Sequence, residues 1–225
     1  MGKFELHCHT AENDKCALES AKDIVRLYKE AGYEGLVITD HYFKTFFEWF
    51  GDEFDREDHY AVIDRWLKGY RAAKKEGEAC GMTVLLGAEV RFNGPIANDY
   101  LVYGLTEEFL YNAPFLNELP NLDALVEILP PDALVVQAHP FRDRMLVHSP
   151  ECLFGIEGYN GSNPPIRNQL AKVFASHYGK PITSGSDCHH LHAVGKGGIV
   201  TQTPILCPAD LRLVLKEGRY TLIEP

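Results

Sequence analysis

Hydrophobic residues follow two different spacings along the chain. Short, mostly apolar runs at 35–39, 83–90 and 133–138 are typical of strands buried in a sheet. Between such runs lie segments with apolar residues on one helical face, such as 18–31, after which Gly32 signals a helix end. This alternation recurs without a linker and predicts βα units with a mostly parallel sheet.

The same pattern sets the number of elements. The predicted strands cover 4–9, 35–39, 83–90, 100–103, 133–138, 155–159, 181–184, 198–200 and 220–223. The predicted helices cover 18–31, 56–79, 122–129, 166–178 and 208–217. So many short strands in 225 residues favour a closed or nearly closed α/β barrel that forms one domain over 1–225.

Composition narrows the class of protein. Hydrophobic residues make up 45% and charged residues 24%, which fits a globular core and excludes disorder as the main state. The net charge of −10 argues against a general nucleic-acid coat but leaves a small anionic substrate open. Without an apolar run of about 18 residues, a membrane span or partner is not expected. No Cys-x-x-Cys pair or signal sequence is present, so we expect reduced thiols and a cytoplasmic location.

Half of the ten histidines fall at predicted strand ends, which form the active-site face of a parallel barrel. His7 and His9 lie two residues apart on one strand and point the same way, while Cys8 points toward the helices. Imidazoles and carboxylates gathered at one mouth are typical of a metal site. The residues at or near these ends are His7, His9, Asp14, His41, Glu89, Asp99, His139, Asp187 and His189.

Four short motifs resemble those of the PHP (polymerase and histidinol phosphatase) superfamily and follow its order. They are His7-Cys8-His9-Thr10 with Asp14, Thr39-Asp40-His41, Gly87-Ala88-Glu89 with Ala138-His139-Pro140, and Ser186-Asp187-Cys188-His189. The resemblance implies a distorted, TIM-like (β/α)7 barrel with mostly parallel strands. It also implies three divalent metal ions, of Mn, Fe or Zn.

The resemblance also implies a ligand set. One ion would be held by His7, His9, Glu89 and Asp187. A second would be bridged by Glu89 and bound by His139, and a third would be held by Asp14, His41 and His189. Many family members have a histidine ligand of the second ion where this chain has Asp99.

Asp99 leaves two interpretations open. As a shorter and harder ligand it would favour Mn or Fe over Zn, or leave the second position partly vacant. Alternatively, Asp99 only caps a turn.

Neighbouring divalent ions suit the hydrolysis of a phosphate ester. Asp187 and Asp40 are candidate catalytic residues that supply a proton to the leaving group, or that orient histidine ligands. Arg142, Arg144 and Lys196 are candidates for binding the phosphate. Glu157 and Asn160 follow the strand at 155–159 and face the same mouth, where they bind substrate or orient ligands.

The leading hypothesis is a metal-dependent phosphoesterase that uses a metal-activated water on a small phosphorylated metabolite or nucleotide. Monoester and diester substrates are both open, and a histidinol-phosphatase-like activity is among the options. Long nucleic acid is not an expected partner, and no oligomeric state is predicted. The alternatives are a metal-binding PHP domain with lost or regulatory activity, and an amidohydrolase-type enzyme that cleaves a non-phosphate bond.

Overall fold

The chain forms ten strands and eight α-helices within residues 1–225, all of which the computed structural model describes. The strands are Gly2–Cys8 (β1), Tyr33–Ile38 (β2), His41–Tyr42 (β3), Thr83–Val90 (β4), Tyr100–Tyr103 (β5), Leu134–Gln137 (β6), Gly155–Asn160 (β7), Ile182–Gly185 (β8), Ile199–Thr201 (β9) and Tyr220–Leu222 (β10). The helices are Ala21–Glu30 (α1), Lys44–Phe50 (α2), His59–Trp66 (α3), Lys68–Cys80 (α4), Glu107–Asn112 (α5), Leu122–Ile128 (α6), Pro165–His177 (α7) and Pro208–Glu217 (α8). No helix is both long and apolar enough to cross a membrane.

The strands form a nearly closed barrel. Their order is β10-β9-β1-β2-β4-β5-β6-β7-β8, with the short β3 beside β4. Cys8 at the end of β1 forms a parallel bridge with Cys188, which lies just after β8, and this bridge brings the two sides of the sheet together. The barrel expected from the number of short strands is therefore confirmed.

The sheet is mixed, because parallel pairs outnumber antiparallel pairs by only five to four. Strand β5 runs antiparallel to both β4 and β6. A parallel connection needs a crossover, usually a helix, and the segment 91–99 that joins β4 to β5 contains no helix. The expectation of a mostly parallel sheet is thus met only narrowly.

Most predicted helices are confirmed within a few residues. The helix predicted over 56–79 is two helices, α3 and α4, with Leu67 between them. Strand β3 and helix α5 were not predicted, and the aromatic stretch after His41 left both a lid and a core helix open. Helix α2 lies in the aromatic stretch after His41, and its Phe46 and Phe50 are buried as part of the core.

Residues of the parallel strands pack alternately on the two faces of the sheet. Leu36 and Ile38 of β2 belong to the core cluster that contains Tyr28 of α1, whereas Val37 packs with Phe4 on the other face. Burying an aliphatic side chain of this size stabilises a fold by about 1.5–3 kcal/mol. The two clusters make the barrel wall a firm support for the residues at its end.

A bulge in β1 turns the first motif toward the barrel mouth. Glu5 pairs with Leu36 while Cys8 pairs with Ile38, so β1 has one residue more than β2 over this stretch. The buried Glu5 carboxylate accepts the N–H groups of Leu6 at 3.0 Å and His7 at 2.9 Å, and that of Ser186 at 2.8 Å. It therefore satisfies backbone donors at the bulge and joins the first motif to the fourth.

Gly185, the last residue of β8, lies close to His7 of β1. A Cβ atom there would overlap Cβ of His7 and lie 2.8 Å from Oε1 of Glu157. We expect Gly185→Ala to lower the free energy of unfolding by about 1–3 kcal/mol, because overpacking forces neighbouring atoms apart. Urea unfolding measures this change against Gly94→Ala, where a Cβ atom meets nothing within 4 Å. Equal unfolding midpoints for the two variants would contradict the packing argument.

Candidate metal centre

The structure brings all nine predicted ligand residues together at one end of the barrel. Their potential ligand atoms fall into overlapping groups in which every atom lies within 4.8 Å of the others. His41 and His189 are 14% and 16% exposed, and the other seven are at most 1% exposed. The cluster is therefore a buried polar site with one slightly open side.

The first cluster consists of His7, His9, Glu89 and Asp187. Nε2 of His7 lies 3.5 Å from Oε2 of Glu89 and 3.6 Å from Oδ1 of Asp187, and Nε2 of His9 lies 3.5 Å from each of the same two oxygens. These distances are long for hydrogen bonds. They match the separation of about 3.4 Å between tetrahedral ligands that each lie about 2.1 Å from one ion.

The third cluster consists of Asp14, His41 and His189. Oδ2 of Asp14 lies 2.9 Å from Nδ1 of His41 and 3.0 Å from Nε2 of His189. Neither contact has the geometry of a hydrogen bond, since Oδ2 of Asp14 and Nδ1 of His41 are buried without a hydrogen-bond partner. Three potential ligand atoms thus lie close enough together to share one cation.

Unpartnered buried atoms are concentrated at this mouth. Leaving one such group unsatisfied costs about 1–3 kcal/mol, so several together need an explanation. Bound divalent cations would satisfy those that face other ligand atoms, such as Nε2 of His7 and His9, and the residues present therefore fit bound metal. The atoms are Nε2 of His7, Nδ1 and Nε2 of His9, Oδ2 of Asp14, Nδ1 of His41, Nδ1 of His139 and Oδ1 of Asp187.

The second group, formed by Glu89, Asp99 and His139, has a different arrangement. Nε2 of His139 lies 2.9 Å from Oε1 of Glu89 and 3.9 Å from Oδ2 of Asp99. Arg91 donates to both oxygens of Asp99, each at 2.6 Å. Arg91 was not among the predicted site residues. Its place two residues after Glu89, on the extension of the same strand, is the sequence signal that points to it.

The pKa values show how strongly the carboxylates attract positive charge. Burial alone lowers the pKa of His41, but Asp14 and Glu89 reverse this effect and raise it to about 9. Burial is likewise outweighed for His189, whose pKa Asp14 and Asp187 raise to about 10. The pKa of His9 is lowered to about 3, because burial and the neighbouring His189 and His41 disfavour its charged form. In the metal-free protein, the protonated rings of His41 and His189 supply the positive charge that bound cations would otherwise supply.

Glu157 and Asn160, which were predicted to bind substrate, contact the ligand residues instead. Glu157 is buried; its Oε1 contacts Nδ1 of His7 at 2.8 Å, and its Oε2 accepts the backbone N–H of His139 at 2.9 Å. Nδ2 of the buried Asn160 donates to Glu157 at 3.0 Å and to Asp187 at 3.2 Å. Buried side chains that are hydrogen-bonded to ligand residues orient those ligands. The contacts of Glu157 and Asn160 therefore favour the predicted role of orienting ligands over the predicted role of binding substrate.

Asp40, a predicted catalytic residue, is also behind the site. Its Oδ1 accepts the backbone N–H of Thr10 at 2.7 Å, and its Oδ2 accepts from the Thr10 hydroxyl at 2.9 Å and from Asn13 at 3.0 Å. Burial raises the pKa of Asp40 to about 7, against the lowering effect of Thr10. These contacts hold the loop that presents Asp14, so the structure gives Asp40 a positioning role.

Of the three predicted phosphate-binding cations, one reaches the ligands. Nη1 of Arg142 lies 3.2 Å from Nε2 of His139 and 3.5 Å from Oδ2 of Asp187, and its side chain is 41% exposed. Arg144 and Lys196 are exposed, and neither forms a side-chain ion pair with a predicted ligand residue. Arg142 therefore links the buried ligands to the open side of the mouth.

Two ligands have strained backbones. His139 has a φ of 28° and Asp187 a φ of 50°, both in the left-handed region that non-glycine residues rarely adopt. Such strain costs about 1–3 kcal/mol and is typically found at functional sites.

Metal affinity should depend on pH, because His41 and His189 carry protons at neutral pH and must lose them to bind an ion. We expect Mn²⁺ to bind at least about tenfold more tightly for each pH unit gained between about pH 6 and about pH 8. Titration of metal-free protein with Mn²⁺ at constant ionic strength measures this slope. An affinity that stays constant over the range would show that these imidazoles are not ligands.

Glu157→Gln should weaken Mn²⁺ binding by about 10–100-fold, because the neutral amide no longer polarises and orients His7. The same titration measures the change. Glu151→Gln, at an exposed position, is the matched control and should bind Mn²⁺ like the unmodified protein. Equal affinities for all three proteins would remove Glu157 from the site.

Comparison with known proteins identifies related folds. No curated protein matches the chain, but a family model described as PHP-associated matches residues 165–220. A proposed metal-dependent phosphoesterase from Bifidobacterium adolescentis is 19% identical with a TM-score of 0.55, over 95% of each chain. A two-domain protein from Bacteroides vulgatus, which contains a predicted PHP-like metal-dependent phosphoesterase, is 16% identical with a TM-score of 0.70, over 99% of this chain and 64% of that one.

Endonuclease Q, in complex with a 27-mer duplex that has an abasic lesion at the active site, is 14% identical with a TM-score of 0.64, over 96% of this chain and 56% of that one. At these identities the likeness establishes the fold. The PHP-associated match over residues 165–220 and the fold shared with these proteins agree with the resemblance of the four motifs to the PHP superfamily.

Proposed function

We propose that the protein is a metal-dependent phosphoesterase that hydrolyses a small phosphorylated metabolite or nucleotide, with residues 1–225 acting as one PHP domain. The observation that carries this proposal is the set of unpartnered imidazole and carboxylate atoms beside an arginine that reaches the same mouth. The similar structures described as metal-dependent phosphoesterases support the same class of reaction.

The residues of the chain prepare the site for metal. Oε1 of Glu157 accepts a hydrogen bond from Nδ1–H of His7, which leaves the Nε2 lone pair free to ligate. Asn160 and Arg142 both contact Oδ2 of Asp187, which leaves its Oδ1 facing His7 and His9. Divalent ions bound here, of Mn, Fe or Zn, would supply a Lewis acid and lower the pKa of a water molecule.

Arg142 supports a phosphate as the substrate group. A guanidinium presents parallel N–H donors that match two phosphate oxygens, and its positive charge compensates the charge of the ester. Because Arg142 is part-exposed and contacts His139 and Asp187, a phosphate bound to it would lie beside the ligands. This placement favours an anionic substrate over a neutral amide or lactone.

Asp187 is the better supported of the two predicted catalytic carboxylates. Its Oδ1 has no hydrogen-bond partner, whereas both oxygens of Asp40 are bonded to Thr10 and Asn13. We assign contact with the reacting atoms to Asp187. Asp40 instead holds the loop that carries Asp14 in place.

The test is phosphate release by protein stripped of metal and reloaded with Mn²⁺, Fe²⁺ or Zn²⁺, with aryl phosphate monoesters and diesters as substrates. Reloading should restore activity, and His9→Ala should lower kcat by more than about 100-fold, since loss of an outer partner of a ligand already costs about 10–100-fold. His177→Ala, at the exposed end of α7, is the control and should keep normal activity.

Three outcomes would contradict the proposal. Near-normal activity of His9→Ala would exclude the first cluster as the catalytic centre. Stoichiometric metal without hydrolysis of any phosphate ester would favour a domain with lost or regulatory activity. Turnover of amides or lactones without phosphate release would favour an amidohydrolase-type enzyme.

A further inference from the structure

A second concave site lies outside the metal centre. It is a pocket of about 420 Å³ between the loop 91–99, the loop 138–154 and the start of α6. A pocket of this volume holds a small organic molecule. None of the nine candidate metal ligands lines it. Asn98 and Tyr100 line it, and Asp99 between them points the other way, because successive residues of an extended segment alternate in direction.

The pocket has an aromatic and apolar side. The rings of Phe92 and Tyr100 lie 5.6 Å apart at an angle of 41°, and Ile96 and Leu122 also line the pocket. Tyr100 is 4% exposed, so it belongs to the base of the pocket, while Ile96 lies at its rim. Ring faces and aliphatic groups in this arrangement suit a flat apolar body.

The base of the pocket is held rigidly and has spare hydrogen-bonding capacity. Asn98 bonds both backbone groups of Leu146, each at 2.8 Å, and so ties the two loops together. The Tyr100 hydroxyl has only a long hydrogen bond from Asn98 at 3.5 Å. Gln137, the register partner of Tyr100 on the same face of the sheet, is buried with neither amide atom partnered. Buried polar groups normally have partners, so this base points to a bound molecule.

The charge of the lining selects the kind of molecule. Asp123 and Glu151 line the pocket, and no arginine or lysine does. Oδ1 of Asp123 accepts from the Cys152 thiol at 2.8 Å, which leaves Oδ2 for a ligand. The ring of His148 adds a hydrogen-bonding group. Two carboxylates beside aromatic faces attract an ammonium ion, by charge and by cation–π contact, and repel an anion.

We propose that this pocket binds a small organic molecule that combines a protonated amine with an aromatic body. The ammonium group lies near Asp123 and Glu151, and the body packs against Phe92 and Tyr100. The site takes a ligand of opposite charge to a phosphate ester. It does not depend on the proposed function, because no candidate metal ligand lines the pocket.

The test is an NMR titration of the ¹⁵N-labelled whole protein, in the presence of Zn²⁺, with phenethylamine and with the neutral isostere 2-phenylethanol. We expect phenethylamine to bind about fivefold or more tightly than the alcohol, since two carboxylates attract only the amine. The amide signals that shift should include those of Phe92, Asn93 and Asn98. Equal affinities, or no detectable binding of phenethylamine, would overturn the proposal.

The role of the carboxylates is tested by the double variant Asp123→Asn with Glu151→Gln. Both positions are exposed, so the fold should be unaffected. Phenethylamine should bind about fivefold or more weakly to this variant, and 2-phenylethanol should bind as before. Glu127→Gln, at an exposed position of α6 outside the pocket, is the matched control and should bind the amine normally. Unchanged amine affinity in the double variant would overturn the proposal.

The same titration separates the pocket from the metal mouth. His9→Ala should bind phenethylamine like the unmodified protein, whatever happens to metal binding and phosphate release, because His9 does not line the pocket. Signal shifts confined to the surroundings of Glu89 and Asp187 would show that the amine binds in the metal mouth, and they would overturn the proposal. Loss of phosphoesterase activity with amine binding intact would affect only the proposed function.

Discussion

The structure depends on the buried carboxylate of Glu89. Its Oε2 lies 3.5 Å from Nε2 of both His7 and His9 and 3.0 Å from Nε2 of His41, and its Oε1 lies 2.9 Å from Nε2 of His139. Burial raises the pKa of this carboxyl, and His7, His139 and His41 more than reverse that effect and hold the pKa well below its usual range. A charge in this position is stable only with positive charge beside it. The folded protein must therefore have either protonated imidazoles or bound cations beside Glu89.

The layers around this carboxylate keep the ligands in place. Glu5 satisfies the bulge that turns His7 toward the mouth, Glu157 fixes the ring of His7, and Gly185 gives β8 room to approach β1. Each contact joins segments far apart in the chain. The strained backbones of His139 and Asp187 persist because such contacts hold them on several sides. The barrel thus holds the ligand residues in a geometry that the separate segments would not adopt on their own.

The sequence predicted the residues that share a chemistry and a strand end. His7, His9, His41, His139 and His189 converge because successive strands end at one face, which local patterns reveal. The direction of β5 did not follow from its own residues, because it depends on whether the preceding segment 91–99 forms a helix. Local sequence patterns do not report contacts that arise only when distant strands meet.

Arg91 and Glu157 show the same limit at the site. Arg91 was not predicted, and Glu157 was predicted at the mouth with two roles left open, because the role of each depends on a partner, Asp99 or His7, that the barrel brings to it. Asp99 itself stood out in the sequence as an acid where the resemblance to the PHP superfamily led us to expect a histidine. Its pairing with a guanidinium at 2.6 Å gives that difference a physical reason.

The most direct test of a metal centre built around Glu89 is an anomalous-scattering map from crystals of Mn²⁺-loaded protein. We predict one strong peak among His7, His9 and Asp187 and a second among Asp14, His41 and His189, each in contact with ligand atoms that are unpartnered without metal. A map with no peak at either place, although Mn²⁺ saturates the protein in solution, would contradict it.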